Sequence, residues 1–114
     1  MKKDKAYLKD ILDAISDIEV FIANINEAEF YKNKEKMYAV VRALEIIGEA
    51  AKNLSKELRA KHKEIPWKEI VGMRDKLIHG YFGIKWELVW ETVKNKISEL
   101  KSQLLKISAE QNNW

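Results

Sequence analysis

The sequence predicts an all-α protein, an antiparallel four-helix bundle formed by a single domain over residues 1–114. Three observations predict this fold class. Apolar residues recur every three or four positions along most of the chain, which is the spacing of one face of an α-helix. The 114 residues include only four Gly and one Pro, too few for the tight turns of a sheet protein. With 46% hydrophobic and 10% aromatic residues the chain can build one core, so disorder is excluded as its main state.

The first two helices are predicted to be the longest. Helix one is expected over residues 4–28, where apolar positions follow one another at helical steps. Asn33 is the expected N-cap of helix two, whose apolar positions continue to Leu58. Gly48 lies inside helix two at a cost of about 1 kcal/mol relative to Ala, which predicts that another helix approaches closely there.

Two further helices are predicted after a polar link. Ile65-Pro66 is expected to start helix three, because the first turn of a helix leaves unpaired the N–H that Pro lacks. Helix three is predicted to end near Gly80, which can adopt a left-handed cap. Helix four is expected from Trp86 to about Ser108.

Composition excludes several classes of protein. The chain has no Cys, which removes disulfide scaffolds, zinc ribbons and thiol nucleophiles together. Its apolar runs are too short for a membrane helix and its start lacks the apolar block of a signal peptide, so we expect a cytoplasmic protein without a membrane partner. The net charge of +3 is compatible with a nucleic-acid partner without indicating one. Only three of the 21 basic residues are Arg, whose planar fork of donors suits a phosphate or carboxylate better than Lys does.

Aromatic content bears on the oligomeric state. Two long apolar helix faces and four Trp provide more apolar surface than a small bundle needs, which predicts a homodimer. The alternative is that Trp67, Trp86, Trp90 and Trp114 fill the core.

Arg74, His79 and Tyr81 form an Arg-x4-His-x-Tyr string that suits cleavage of RNA without a metal. In that chemistry one group takes the proton from the 2′-hydroxyl, and a cation stabilises the charge that builds on phosphorus. Imidazole titrates near neutral pH and can act as base or acid, so His79 fits the proton-transfer role. Guanidinium stays charged and grips two phosphate oxygens, so Arg74 fits the second role. Asp75 lies four residues before His79, so on one helix its carboxylate would share a face with the imidazole and orient it.

The spacing also leaves other interpretations open. Positions five apart differ by about 140° around a regular helix, so Arg74 and His79 do not share a helical face. Either the helix distorts near its end, or two subunits place this segment side by side. In a structural role Arg74 would pair with a neighbouring acid, Asp75 would be a surface charge, His79 would cap its own helix and Tyr81 would pack. His62, in the polar link, is expected to be a solvated loop residue.

The segment Arg74–Phe82, RDKLIHGYF, resembles the signature of the HepT-type toxins in the HEPN superfamily (higher eukaryotes and prokaryotes nucleotide-binding domain). Three more segments resemble that family in the same order: IIGEAA at 46–51, IPW at 65–67 and VGM at 71–73. The resemblance covers most of the chain, over about residues 37–90.

The resemblance implies an all-helical, dimeric RNase that acts as the toxin of a type VII toxin–antitoxin system. In that family the motif's Arg and His, here Arg74 and His79, carry the cleavage in a pocket at the dimer interface. The motif's Tyr, here Tyr81, receives AMP from ATP through a cognate MntA-like minimal nucleotidyltransferase antitoxin, which switches the toxin off. A bulky anionic nucleotide two residues from His79 would occupy the phosphate site and pair with Arg74.

No metal and no cofactor are expected. Glu45 and Glu49 lie four apart on helix two and could face the pocket, but di-metal bundles add a Glu-x-x-His that this sequence lacks. The leading hypothesis is therefore a metal-independent endoribonuclease with RNA as its substrate. Two alternatives remain: a non-catalytic nucleotide-binding helical dimer that serves as the accessory subunit of a nucleotidyltransferase, and a purely structural bundle. The intact Arg-x4-His-x-Tyr string separates the first hypothesis from the others, since a binding module needs no general base.

Overall fold

The apolar spacing produces helices along almost the whole chain, and the all-α class is confirmed. A computed structural model describes residues 2–79 and 83–110, with the backbone alone described for Lys2 and His79. The helices are α1 (Lys2–Ile22), α2 (Glu27–Tyr31), α3 (Lys34–Asn53), α4 (Lys56–Lys61), α5 (Trp67–Val71), α6 (Met73–Leu77), α7 (Trp86–Glu91) and α8 (Ile97–Glu110). A π-helical turn (Thr92–Lys96) joins α7 to α8, and strands β1 (Ile78–His79) and β2 (Gly83–Ile84) form one small antiparallel sheet. No helix among the described residues is long and apolar enough to cross a membrane.

The long helices α1 and α3 pack against each other and run antiparallel. Asp4 at the start of α1 reaches Ser55, which lies just beyond the end of α3. The Asp4 carboxylate accepts one hydrogen bond from the Ser55 backbone N–H at 2.8 Å and another from its hydroxyl at 2.7 Å. Asp4 is only 2% exposed, so this contact is a buried, charge-assisted clamp between two helices.

The core lies between α1, α3 and the last helical segment, α7 to α8. All three contribute fully buried side chains: Ile11, Ile15, Ile18, Val40, Leu44, Ile47, Val89, Leu104 and Ile107. Phe30 of α2 closes one end, with its ring 5.1 Å from that of Trp90 and 6.3 Å from that of Trp86. Trp67 is buried and those two Trp are half-buried, which agrees with a packing role, whereas Trp114 lies outside the described residues.

Helix one ends earlier than the sequence pattern predicts. It stops at Ile22 instead of residue 28, because Asn24 takes a left-handed conformation with φ of 61°. Asn26 then begins α2 with a capping box, in which its side chain accepts from the Glu29 N–H and the Glu29 carboxylate accepts from the Asn26 N–H.

Helix two begins as predicted and ends early. The Asn33 side chain accepts a hydrogen bond from the Lys36 N–H, which confirms it as the N-cap. The prediction that this helix continues to Leu58 is wrong. Leu54 is extended, and the Ser55 hydroxyl accepts from the Leu58 N–H to start a separate helix, α4.

The predicted third helix is two short helices that meet at Gly72, and it does not reach Gly80. The chain leaves the helical conformation at Ile78, which has φ of −118° and ψ of 117° and is β-branched, a type that favours strands. His79 therefore lies in β1 opposite Gly83, whose φ of 85° suits a residue without a side chain. Gly80 lies outside the described residues.

Two other helix predictions are confirmed. A Cβ placed on Gly48 would lie 3.2 Å from the carbonyl oxygen of Ile70 in α5, so another helix does approach closely at this glycine. Helix four starts at Trp86 as predicted and runs two residues beyond Ser108, to Glu110.

Candidate active site

The Arg74 side chain opens onto a groove between α1, α3 and α6, which we call the Arg74 groove. Its volume is about 450 Å³. The groove is lined by Tyr7, Asp10, Arg42, Glu45, Ile46, Glu49, Ala50, Asn53 and Arg74. Its floor is the face of α3 that follows Arg42, and its polar walls combine two guanidinium groups with three carboxylates.

Local packing explains why Arg74 stands over α3. The absence of a side chain at Gly48 lets α5 lie close to α3, and Gly72 ends α5 so that α6 begins directly after it. Arg74 Nε then donates a hydrogen bond to Glu45 Oε2 of α3 at 3.0 Å. The Arg74 side chain remains 59% exposed, and neither of its Nη atoms donates a hydrogen bond to a described residue. Two pairs of donors are therefore available to a ligand in the groove.

Asp75 does not occupy the helical arrangement that the sequence suggested. Because α6 ends at Leu77, Asp75 and His79 do not lie one turn apart on a common helix. The Asp75 side chain is 90% exposed, and its Oδ1 lies 3.9 Å from Arg74 Nη1, beyond hydrogen-bonding distance. Asp75 therefore does not orient His79 from a shared helical face, and its supporting role stays a prediction.

His79 follows Arg74 closely in the chain but lies past the end of the helix. The Lys85 backbone N–H donates to the Leu77 carbonyl at 2.9 Å, which closes the base of the hairpin formed by β1 and β2. The 140° separation expected on a regular helix therefore does not apply, since the chain departs from helical geometry before it reaches His79. The side chain of His79, and all of Tyr81, lie outside the described residues.

Arg42 is a groove residue that sequence reasoning did not single out. It is exposed on α3 and makes no ion pair within the described part of the chain. The signal that pointed to it was the scarcity of Arg, because two of the three Arg line this one groove. Tyr7 of α1 was also missed, and nothing in its spacing distinguishes it from a packing residue.

Glu45 and Glu49 both face the groove, as the sequence left open. Within residues 2–79 and 83–110 no three His, Cys, Asp or Glu side chains come together in a way that could hold a metal ion. Glu45 instead has a defined partner in Arg74.

His62 is buried, so the expectation of a solvated loop residue is wrong. It is 7% exposed at the end of α4, and its carbonyl oxygen accepts a hydrogen bond from the Trp67 indole at 2.9 Å. Its ring nitrogens lie 3.5 Å from a Glu64 carboxylate oxygen and 3.6 Å from one of Glu110. None of these residues lines the Arg74 groove, so His62 belongs to the packing between α4, α5 and the end of α8.

Comparison with known proteins relates the chain to a family. A family model described as "Ribonuclease HepT-like" matches residues 11–107. A protein of Methanocaldococcus jannaschii named "Putative RNase MJ1216" is 52% identical over 107 residues, covering 93% of this chain and 88% of its own. "Putative RNase TTE0752" of Caldanaerobacter subterraneus is 48% identical over 107 residues, covering 94% and 96%. "Probable ribonuclease HepT" of Thermococcus cleftensis is 47% identical over 106 residues, covering 93% and 96%. No solved structure gives a significant match to the chain.

Proposed function

Because the chain belongs to the ribonuclease HepT-like family, we propose that it is a metal-independent endoribonuclease that cleaves RNA in the Arg74 groove. The observation that carries the proposal is the state of Arg74. Its guanidinium is exposed at a groove of about 450 Å³, donates a hydrogen bond to Glu45 through Nε, and lies five residues before the His of the motif. That volume lies within the range of pockets that hold small ligands, about 300–1,000 Å³, so the groove is large enough for part of an RNA chain.

The chemistry requires a base and a cation next to one phosphodiester. His79 takes the proton from a 2′-hydroxyl, and the resulting oxygen attacks the adjacent phosphorus. The Nη donors of Arg74 bind the non-bridging oxygens, where negative charge develops in the pentavalent transition state. The bond to the 5′ oxygen then breaks, that oxygen takes a proton from water, and the protonated His79 returns its own proton to solvent. The products carry a 2′,3′-cyclic phosphate and a 5′-hydroxyl.

Glu45 acts in this scheme as a positioning residue. The 3.0 Å hydrogen bond that its carboxylate accepts from Nε fixes the plane of the Arg74 guanidinium and leaves the Nη donors to bind phosphate. Exposed ion pairs of this kind contribute only about 0–1 kcal/mol to folding. The pair is therefore better explained by orientation of the guanidinium than by stability.

Regulation by a covalent nucleotide is the second part of the proposal. We take the protein to be the toxin of a type VII toxin–antitoxin system, neutralised when an MntA-like nucleotidyltransferase attaches AMP to Tyr81. The support is the motif itself, in which Tyr81 is two residues from His79. We also take the active form to be a homodimer. The support is the ring of Tyr38, which is 60% exposed although it packs on the half-buried Trp86 with ring centroids 5.7 Å apart.

The test is cleavage of a labelled RNA by the purified chain in the presence of a chelator. His79→Ala should reduce the rate by about 100-fold to 10,000-fold, the usual contribution of a general base. Arg74→Ala should reduce it by about 100-fold to 1,000-fold, the usual contribution of one group that binds a developing negative charge. Lys106→Ala, an exposed change on α8, is the matched control and should cleave at the wild-type rate. Wild-type rates in both site variants, with unchanged circular dichroism, would overturn the assignment.

A second arm tests regulation. Intact mass after incubation with the nucleotidyltransferase and ATP should show added AMP on the wild type and none on Tyr81→Phe, with RNA cleavage lost only in the modified protein. A wild-type chain that never cleaves RNA, yet binds the nucleotidyltransferase, would instead favour the accessory-subunit hypothesis.

A further inference from the structure

A second depression on the surface lies between α4 and α5, and we call it the α4–α5 pocket. It has a volume of about 510 Å³ and is lined by Lys56, Arg59, Ala60, Trp67, Lys68 and Val71. Three of these six side chains are cations, contributed by two separate helices. The lining contains no carboxylate, unlike the Arg74 groove, where three acids offset two Arg.

The cations of this pocket have no acidic partners in the described part of the chain. Lys56, Arg59 and Lys68 form no ion pair there, although the protein carries 18 acidic residues. Arg59 Nε is buried and donates no hydrogen bond to any described residue. Buried donors without an acceptor are rare in folded proteins, and three like charges around one depression repel one another. An anion in the pocket would relieve the repulsion between the three cations, whereas the buried Nε has no surface that such an anion could contact.

We infer that the α4–α5 pocket binds a backbone phosphate of the RNA substrate, outside the point of cleavage. A phosphodiester accepts hydrogen bonds from the outer Nη donors of Arg59, and Lys56 and Lys68 flank it as mobile charges. The inference rests on the proposed function, which makes RNA the substrate of the neighbouring groove.

The α4–α5 pocket and the Arg74 groove are lined by residues that lie close together along the chain. Lys56 follows the groove residue Asn53 by three positions, and Val71 precedes Arg74 by three. Two separate segments of the chain thus contribute residues to both depressions. A phosphate held by Arg59 would anchor the strand while Arg74 contacts the phosphate that is cleaved, so the pocket contributes to binding and not to the chemical step.

The experiment measures binding without cleavage. The probe is a fluorescently labelled single-stranded RNA with 2′-O-methyl groups, which cannot supply the attacking hydroxyl, and the readout is anisotropy over a range of salt concentrations. Lys56→Gln/Arg59→Gln/Lys68→Gln should raise Kd about tenfold near 0.1 M salt. The slope of log K against log salt should fall by about 0.7 for each phosphate that the variant no longer neutralises.

The matched control is Lys32→Gln/Lys34→Gln/Lys106→Gln, which removes the same charge from exposed positions elsewhere. If both triple variants lose the same RNA affinity and the same salt slope, the effect is one of net charge, and the proposal of a phosphate site in this pocket is overturned. Should the Arg59 substitution prevent folding, Lys56→Gln/Lys68→Gln changes only exposed side chains and should still weaken binding relative to Lys32→Gln/Lys34→Gln.

Cleavage of ordinary RNA separates the two claims. The pocket variant should raise KM and leave kcat at the wild-type value. If the wild type cleaves RNA and the pocket variant matches the control in both assays, the phosphate site is refuted and the proposed function stands. If the wild type binds the 2′-O-methyl RNA through this pocket yet never cleaves ordinary RNA, the proposed function fails and the phosphate site stands.

Discussion

Removal of the Asp4 carboxylate should cost more stability than any other change to a charged side chain of α1. Asp4→Ala deletes an acceptor that receives two hydrogen bonds, at 2.8 and 2.7 Å, and leaves the half-buried Ser55 N–H without its partner. Bonds to a charged acceptor contribute about 1.5–3 kcal/mol each, and relief of carboxylate desolvation offsets part of the sum, so we expect a loss of about 3 kcal/mol. With an unfolding entropy of about 2.1 cal/mol/K per residue, a chain of this length should lose about 12 °C in Tm.

Thermal unfolding followed by circular dichroism measures this loss, with urea denaturation as a second measurement. The matched control is Asp17→Ala, which removes the same charge from an exposed position on the same helix. Asp4→Asn keeps the shape and one acceptor and should fall between the two. Equal melting temperatures for Asp4→Ala and Asp17→Ala would refute the view that a buried clamp joins α1 to the start of α4.

Three further outcomes follow from the structure. Gly48→Val should destabilise the fold by about 1–3 kcal/mol in a urea titration, because even a Cβ there would lie 3.2 Å from the Ile70 carbonyl; unchanged stability would contradict the close approach. Glu45→Gln should cost under about 1 kcal/mol of stability yet lower kcat about tenfold at constant KM. A loss of stability that accounts for the whole loss of activity would indicate a structural role. Partial burial and the hydrogen bond to Glu27 raise the pKa of Tyr31 to about 12, so the stability that its neutral phenol contributes is present below pH 10 and is lost between pH 10 and 12. In chemical denaturation the stability difference between wild type and Tyr31→Phe should therefore be constant below pH 10 and should change, as the wild type loses stability, only between pH 10 and 12.

The long helices could be predicted because their burial is periodic. α1 and α3 each present one apolar face to the core, and that face repeats every three or four residues in the sequence. Gly48 was informative for a related reason, since a glycine within a helix costs stability unless a neighbour needs the space.

The breaks between helices could not be predicted from periodicity. The apolar pattern continues through Ile25 and Leu58, although the chain leaves the helix at Asn24 and at Leu54. These breaks depend on a left-handed Asn and on a capping Ser that is itself held by the distant Asp4. A contact between residues 51 positions apart is not visible in local spacing.

The candidate site was predictable in part. The motif identified Arg74 directly, and its partner Glu45 was noted as a residue that could face the pocket, although their contact spans 29 positions. The role expected of Asp75 depended on a helix that continues to His79, and the extended conformation of Ile78 removes that premise. The composition drew attention to the three Arg residues. Only the structure shows that two of them line the same groove.

The central claim is that a 2′-hydroxyl attacks phosphorus with His79 as base and Arg74 as the cation. The most direct test is mass spectrometry of the RNA ends that the wild-type chain produces in chelator, alongside His79→Ala and Arg74→Ala. We expect 2′,3′-cyclic phosphate and 5′-hydroxyl ends from the wild type, and their loss in both variants. Products with 3′-hydroxyl and 5′-phosphate ends, or cyclic phosphate ends that persist at wild-type rates without either side chain, would contradict it.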